Sequence, residues 1–335
     1  MSGPEVAEAE LDHEEAGDVR LMIGAVAAVL LLVVARPHLV SLFDAGTGRE
    51  WMTVFVAVSV QAMPFLVLGV VLAGAISALV SPAALARVLP RNRAAAVVVS
   101  GGAGLILPGC ECGAVPIAGR LIGGRVPAAA ALTFLLAAPA INPVVLVATA
   151  TAFPGQPELV AARFGASLLT AITVGLVWLR IGPEDAFDHL VARAARTQGR
   201  GESRWQVFTT SATHDLLHAG GWLVVGAAAA ATIQALVPRS VLDAVADAGP
   251  LSILALALLA VVLSVCSEAD AFVATSFTAF SPTARLAFMV VGPAVDLKLV
   301  ALQHGTFGSR VTRIFAPLTF TVAVAWAVIA GTALL

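Results

Sequence analysis

Apolar residues fill the chain in blocks about twenty residues long, with polar residues gathered in the gaps. Such blocks can be read at about 21–43, 52–80, 127–153, 158–180, 215–236, 284–304 and 312–334. Each is long enough for a helix to cross the roughly 30 Å of hydrocarbon in a bilayer. Two further apolar stretches, 94–122 and 250–280, are broken near their centres. The first break holds Pro108, Gly109, Cys110, Glu111, Cys112 and Gly113, with Pro116 close behind; the second holds Cys266, Ser267, Glu268, Ala269 and Asp270. Backbone that loses its helical hydrogen bonds at membrane depth survives only where protein or a water-filled cavity surrounds it. Both stretches therefore read as re-entrant hairpins of two half-helices with the cysteine motif at the tip.

The two halves of the chain are related. A shift of 154 residues places Cys112 on Cys266, Phe134 on Phe288, Pro139 on Pro293, Asn142 on Asp296 and Phe153 on Phe307. Slightly earlier, a shift of 157 places Leu79, Val80 and Leu85 on Leu236, Val237 and Leu242. Loop charges set the sense of this repeat. The turn with Arg87, Arg91 and Arg93 carries no acid, whereas its counterpart has Arg239 against Asp243 and Asp247. By the positive-inside rule the two turns lie on opposite sides of the membrane. The linker with Arg193, Arg196, Arg200 and Arg204 belongs in the cytoplasm, as does the turn with Arg310 and Arg313. Arg285 falls outside in this scheme and fits it worst.

The expected fold is an all-α polytopic membrane protein of two inverted repeats with re-entrant broken helices, about eight full transmembrane helices plus two hairpins. Its parts are an acidic disordered cytoplasmic tail (1–20), an extra transmembrane helix and loop (21–50), a first repeat (51–180), a cytoplasmic linker (181–210) and an inverted second repeat (211–335). Inverted repeats whose broken helices meet at the midplane are a recurring transporter plan.

Composition narrows the class. The chain is 59% hydrophobic and 12% charged, with a mean hydropathy of +0.95, where soluble domains carry about 25% charged residues. No alternating ten-residue pattern suggests a membrane barrel. The net charge of −2 conceals an acidic head, because Glu5, Glu8, Glu10, Asp12, Glu14, Glu15 and Asp18 all precede residue 20. This head lacks the basic start and the cleavage site of a signal peptide, so the first apolar run is expected to stay as a helix. Tyrosine is absent, so Trp51, Trp178, Trp205, Trp222 and Trp326 are the candidate interface anchors, and Trp51 and Trp178 fall at ends of apolar blocks.

All three cysteines lie in the two breaks. Thiolates favour soft, thiophilic centres, so Cys110, Cys112 and Cys266 are candidates for transient coordination of such a species; their odd number and close spacing argue against a disulfide framework. Glu268 and Asp270 are expensive at membrane depth and are candidate proton carriers, and Glu111, between two cysteines, is treated likewise. Asn142 and Asp296 follow Pro139 and Pro293, whose rings free carbonyls one turn earlier, and these four read as lining a pathway. Lys298, the only lysine, follows Asp296 by two residues, a spacing that does not pair across a helix; it is expected to snorkel, with pairing to another acid as the alternative. His214, Asp215 and His218 have metal-ligand spacing but begin an apolar block, where polar residues are ordinary. Gly101, Gly102 and Gly104 lack a phosphate-loop lysine and read as packing glycines. No basic, aromatic-rich patch suggests nucleic acid.

The runs Cys112–Ala118, Phe134–Pro143 and Cys266–Phe272 resemble the predicted-permease family that includes organoarsenical efflux permeases. The likeness runs from about residue 52 to the C-terminus. It implies a multi-pass protein of the bacterial cytoplasmic membrane, with its N-terminus in the cytoplasm by the charge pattern. The family's characterised members export trivalent methyl- and aryl-arsenicals. The expected function is efflux of a small thiophilic species in exchange for protons, with no enzymatic activity and no cofactor. The partners expected are the bilayer, that substrate and protons, and a homo-oligomer stays open. Two alternatives stand beside it: an intramembrane thiol oxidoreductase using Cys110 and Cys112, or the membrane subunit of a metal-relay system.

Overall fold

The computed structural model describes residues 45–79, 90–105, 111–183, 185–192, 204–236 and 249–335. The acidic tail, the first apolar run, Cys110 and the arginines at 87, 193, 196, 200 and 239 lie outside the described residues. All regular structure among the described residues is helical. In order, the helices are α1 (Ala45–Leu79), α2 (Arg93–Ala103), α3 (Glu111–Gly123), α4 (Ala128–Ile141), α5 (Pro143–Ala152), α6 (Pro157–Ile181), α7 (Arg204–Leu236), α8 (Pro250–Leu263), α9 (Asp270–Thr275), α10 (Pro282–Ala294), α11 (Leu297–Phe307) and α12 (Ser309–Leu334).

Among the described residues, four units are long and apolar enough to cross a membrane: α4 with α5, α6, α10 with α11, and α12. They coincide with four of the apolar blocks in the sequence. In hydrocarbon a helix satisfies its backbone internally, which is why apolar blocks this long resolve as helices. The chain is a helical membrane protein.

The order of elements in the first six helices recurs in the second six. Contacts recur with it: α4 packs on α2, α3 and α6, and α10 packs on α8, α9 and α12. The halves also embrace reciprocally, since α3 touches α11 and α9 touches α5. The match is incomplete, because α1 packs extensively on α3, whereas α7 packs on α11.

Helix pairs are fixed by small residues and a few polar ties, as expected where lipid tails remove the hydrophobic drive between helices. A Cβ on Gly69 of α1 would fall on the Gly113 backbone of α3, and one on Gly226 of α7 on the Lys298 backbone of α11. A Cβ on Gly104, just past α2, would meet the Ala137 carbonyl carbon at 2.7 Å, which gives the glycine run its packing role. The α1–α7 pair is antiparallel: Trp51 Nε1 donates to Thr232 Oγ1 at 3.0 Å, while Gly74 lies against Phe208. So is α6–α12, with Trp326 Nε1 donating to Thr173 Oγ1 at 3.0 Å and Trp178 edge-on to Phe315 at 5.5 Å.

One expectation needs correction. Trp178 is not a lipid-facing anchor; it is buried between Phe187 and Phe315, because the start of the linker folds back over it. Arg285, the residue that fits the topology worst, is half-buried with its guanidinium 6.0 Å from the Phe153 ring centre. The linker and the α12 turn share one end of the bundle, since Arg310 pairs with Asp185 at 2.7 Å and His189 lies 3.3 Å from the Thr306 carbonyl. The Arg310 guanidinium holds the exposed Asp185 carboxyl below its ordinary range. Solvent screening leaves such a pair little influence on stability.

Candidate functional site

Both proline-marked helices stop and restart in mid-block. Pro139 lies two residues before the end of α4, and the next residue, Asn142, turns extended (φ −65°, ψ 157°). Its side chain serves both helices: Nδ2 donates to the Ala138 carbonyl at 2.9 Å and Oδ1 accepts from the Val145 amide at 3.0 Å. Pro293 lies just before the end of α10, and Asp296 (φ −140°, ψ 172°) accepts from the Leu299 amide at 2.6 Å. An N-cap oxygen of this kind satisfies an amide that the new helix cannot satisfy itself. Asn142 thus engages backbone on both sides of its break. Asp296 caps with one oxygen and keeps the other.

That second oxygen finds Lys298. The ammonium lies 2.8 Å from Asp296 Oδ2 and 2.7 Å from Glu111 Oε1, and donates to the Ser264 carbonyl at 2.7 Å. Lysine and carboxylates are all at most 2% exposed. The expectation that Lys298 snorkels is overturned. The i, i+2 rule holds inside a helix, and Asp296 is an extended N-cap, so its carboxylate turns onto the first turn of α11. Ser264, the acceptor, is the left-handed residue (φ 50°) that ends α8. Its carbonyl faces the lysine because α8 stops there.

A second cation lies alongside. Arg163, fully buried in α6, pairs with Asp270 at 2.7 Å, donates to Thr149 Oγ1 at 2.7 Å and reaches the Ser267 carbonyl at 3.1 Å. Ser267 joins the two groups, because its hydroxyl sits 3.4 Å from Glu111 Oε2. The residues flanking Cys112 and Cys266 therefore meet. The sequence reading passed over Arg163, although a charged residue six positions into an apolar block is itself a signal at membrane depth. Thr149, Ser264 and Ser267 carried no comparable signal.

Cys112 and Cys266 are buried, and neither forms a disulfide. The Cys266 thiol donates to the Glu268 carboxylate. Cys112 lies within electrostatic range of Lys298, and half-buried Glu268 within range of Glu111 and Lys298. Among the described residues no three histidines, cysteines or acids gather in a metal-holding group. His214 and His218 stack at 5.8 Å on α7. Glu111, Glu268, Asp270 and Asp296 surround two cations, so this group is short of positive charge when every member is ionised. Asp270 Oδ1 and Arg163 Nε are also buried without a hydrogen-bond partner among the described residues.

A helical membrane protein whose two halves converge on buried charges and thiols has the construction of a permease. The chain belongs to the family described as predicted permease, which matches residues 48–332. It is 31% identical over 290 residues to a Streptococcus mutans protein provisionally named as a subunit of a two-component membrane permease complex. It is 34% identical over 290 residues to the UPF0718 protein YcgR of Bacillus subtilis. Each alignment covers 84% of this chain and 95% of the relative. No solved structure matches the chain.

Proposed function

We propose that this permease exports a small thiophilic species, such as a trivalent organoarsenical, from the bacterial cytoplasm in exchange for protons. The observation that carries the reading is the meeting of the two breaks at Ser267 and Glu111, beside Cys112 and Cys266. Cys110, Cys112 and Cys266 hold the substrate by exchange. Each S–As bond forms as an As–OH bond breaks, the thiol proton leaving with the hydroxide as water, and water reverses the step on release. Glu268, Asp270 and Glu111 carry the protons; the excess of carboxylates over cations supports that role. Asn142, Pro139, Pro293 and Asp296 shape the path by keeping two helices broken beside the site.

The topology proposed is eight full spans and two re-entrant hairpins in two inverted repeats, 51–180 and 211–335. It places the acidic tail 1–20 and the linker 181–210 in the cytoplasm and the 21–50 helix ahead of the first repeat. Repeat mates α1 and α7 run antiparallel, as do α6 and α12, which supports inversion. Replacing Cys110, Cys112 and Cys266 together by serine is expected to abolish the resistance that the wild-type chain confers on an arsenical-sensitive host. Undiminished resistance in that variant, at equal membrane abundance, sinks thiol coordination.

A second reading is favoured by the name of the Streptococcus mutans relative: this chain acts as one subunit of a two-component complex. Flux by the purified chain alone in proteoliposomes argues against it. Flux that appears only when a second membrane subunit is added supports it.

A further inference from the structure

Buried hydroxyls in this bundle ordinarily bond to their own helix. Thr133, Thr149 and Thr312 donate to carbonyls one turn back at 2.7, 2.7 and 3.0 Å. Ser167 and Thr170 of α6 do not. They are 3% and 1% exposed, and neither oxygen has a hydrogen-bond partner among the described residues. With Arg163, whose Nε is also without one, they stand at i, i+4 and i+7 on one face of the helix. At 1.5 Å per residue, Ser167 lies about 6 Å and Thr170 about 10 Å past Arg163 toward the linker end of α6.

Thr319 of α12 extends the series. It is fully buried and its hydroxyl likewise lacks a partner among the described residues. The contacts of Phe315 with Trp178 and of Trp326 with Thr173 bracket its level, beside residues 173–178 of α6. A dry seam with four unsatisfied polar groups in sequence leaves each desolvation penalty uncompensated. Buried waters, each bonding two or more such groups, remove that penalty. The stripe is one-sided. The positions on α12 that match Arg163 and Ser167 in the repeat are Pro317 and Thr321, and exposed Thr321 donates to the Pro317 carbonyl at 2.8 Å.

We propose that this face of α6 lines a water-filled route from the buried charges to the linker end of the bundle, and that the route carries protons from Asp270 to that end. Asp270 Oδ1, which lies beside Arg163 without a hydrogen-bond partner among the described residues, is where the file of water ends. Proton delivery rests on the permease reading; the water itself does not.

The test places single cysteines at Ser167 and Thr170, and at Ala166 and Ala171 as controls on the same helix that are equally buried. The full-length chain, with its native cysteines changed to serine, is treated with N-ethylmaleimide in membrane vesicles. Maleimide consumes thiolate, which forms in contact with water and not in an apolar seam, so Ser167→Cys and Thr170→Cys are expected to react at least about tenfold faster than Ala166→Cys and Ala171→Cys. Equal rates at all four positions overturn the route. Thr170→Val adds a second readout. A wet route predicts an unchanged or lower thermal midpoint, whereas a dry seam predicts a rise, because an unmatched hydroxyl has been removed; a rise overturns the proposal. A selective labelling pattern, together with a native-cysteine chain that moves no substrate, keeps the route and removes the permease reading. Uniform labelling, together with intact flux by the native-cysteine chain, does the reverse.

Discussion

Lys298→Met is expected to destabilise the folded protein by about 3–5 kcal/mol, the usual result of removing one partner from a buried ion pair. The size follows from what remains: Glu111 and Asp296 face each other across a methionine at 0% exposure, with no ion-pair partner left among the described residues. The Ser264 carbonyl loses its donor as well, at the residue where α8 ends. The thermal midpoint of the detergent-purified protein measures this. Adding Glu111→Gln and Asp296→Asn to Lys298→Met is expected to recover most of the loss, since a neutral set no longer needs a counter-charge. Transport is not expected to recover. A single Lys298→Met variant as stable as wild type would show that the triad is not closed in the membrane.

Arg163→Lys is the second large effect, even though the charge is kept. Arginine uses two nitrogens at once, one toward Thr149 and one shared between Asp270 and Ser267. A lysine ammonium is a point donor on a flexible stem and cannot reproduce that fork. The expected loss is about 2–3 kcal/mol, in the range of stranded charge-assisted hydrogen bonds. Arg163→Met is expected to lose more, and Arg163→Met with Asp270→Asn to lie between them. Urea denaturation followed by tryptophan fluorescence orders the three. Equal stability of Arg163→Lys and wild type contradicts the fork.

Apolar block length sufficed to locate α4–α5, α6, α10–α11 and α12, because a helix is the only open-ended backbone that hydrocarbon tolerates. Proline and glycine also marked where the blocks break. What the residue pattern could not reveal was the conformation at a break. Lys298 looked unable to reach Asp296 because a helical rule was applied to a residue that is extended. Arg163 went unnoticed because its partners, Thr149 and Asp270, lie 14 and 107 positions away, and local spacing carries no trace of them. Trp178 was read as an anchor because a block end resembles an interface. Only the fold shows Phe187 returning over it.

Substrate-coupled proton movement tests the central claim most directly. The purified chain is reconstituted in vesicles enclosing a pH-sensitive dye, and a gradient of a trivalent methyl- or aryl-arsenical is imposed. Proton movement opposite to the arsenical is predicted, absent when Cys110, Cys112 and Cys266 are serine and strongly reduced in Asp270→Asn. Arsenical flux with no accompanying proton movement, or equal proton movement in the cysteine-free chain, would contradict the account.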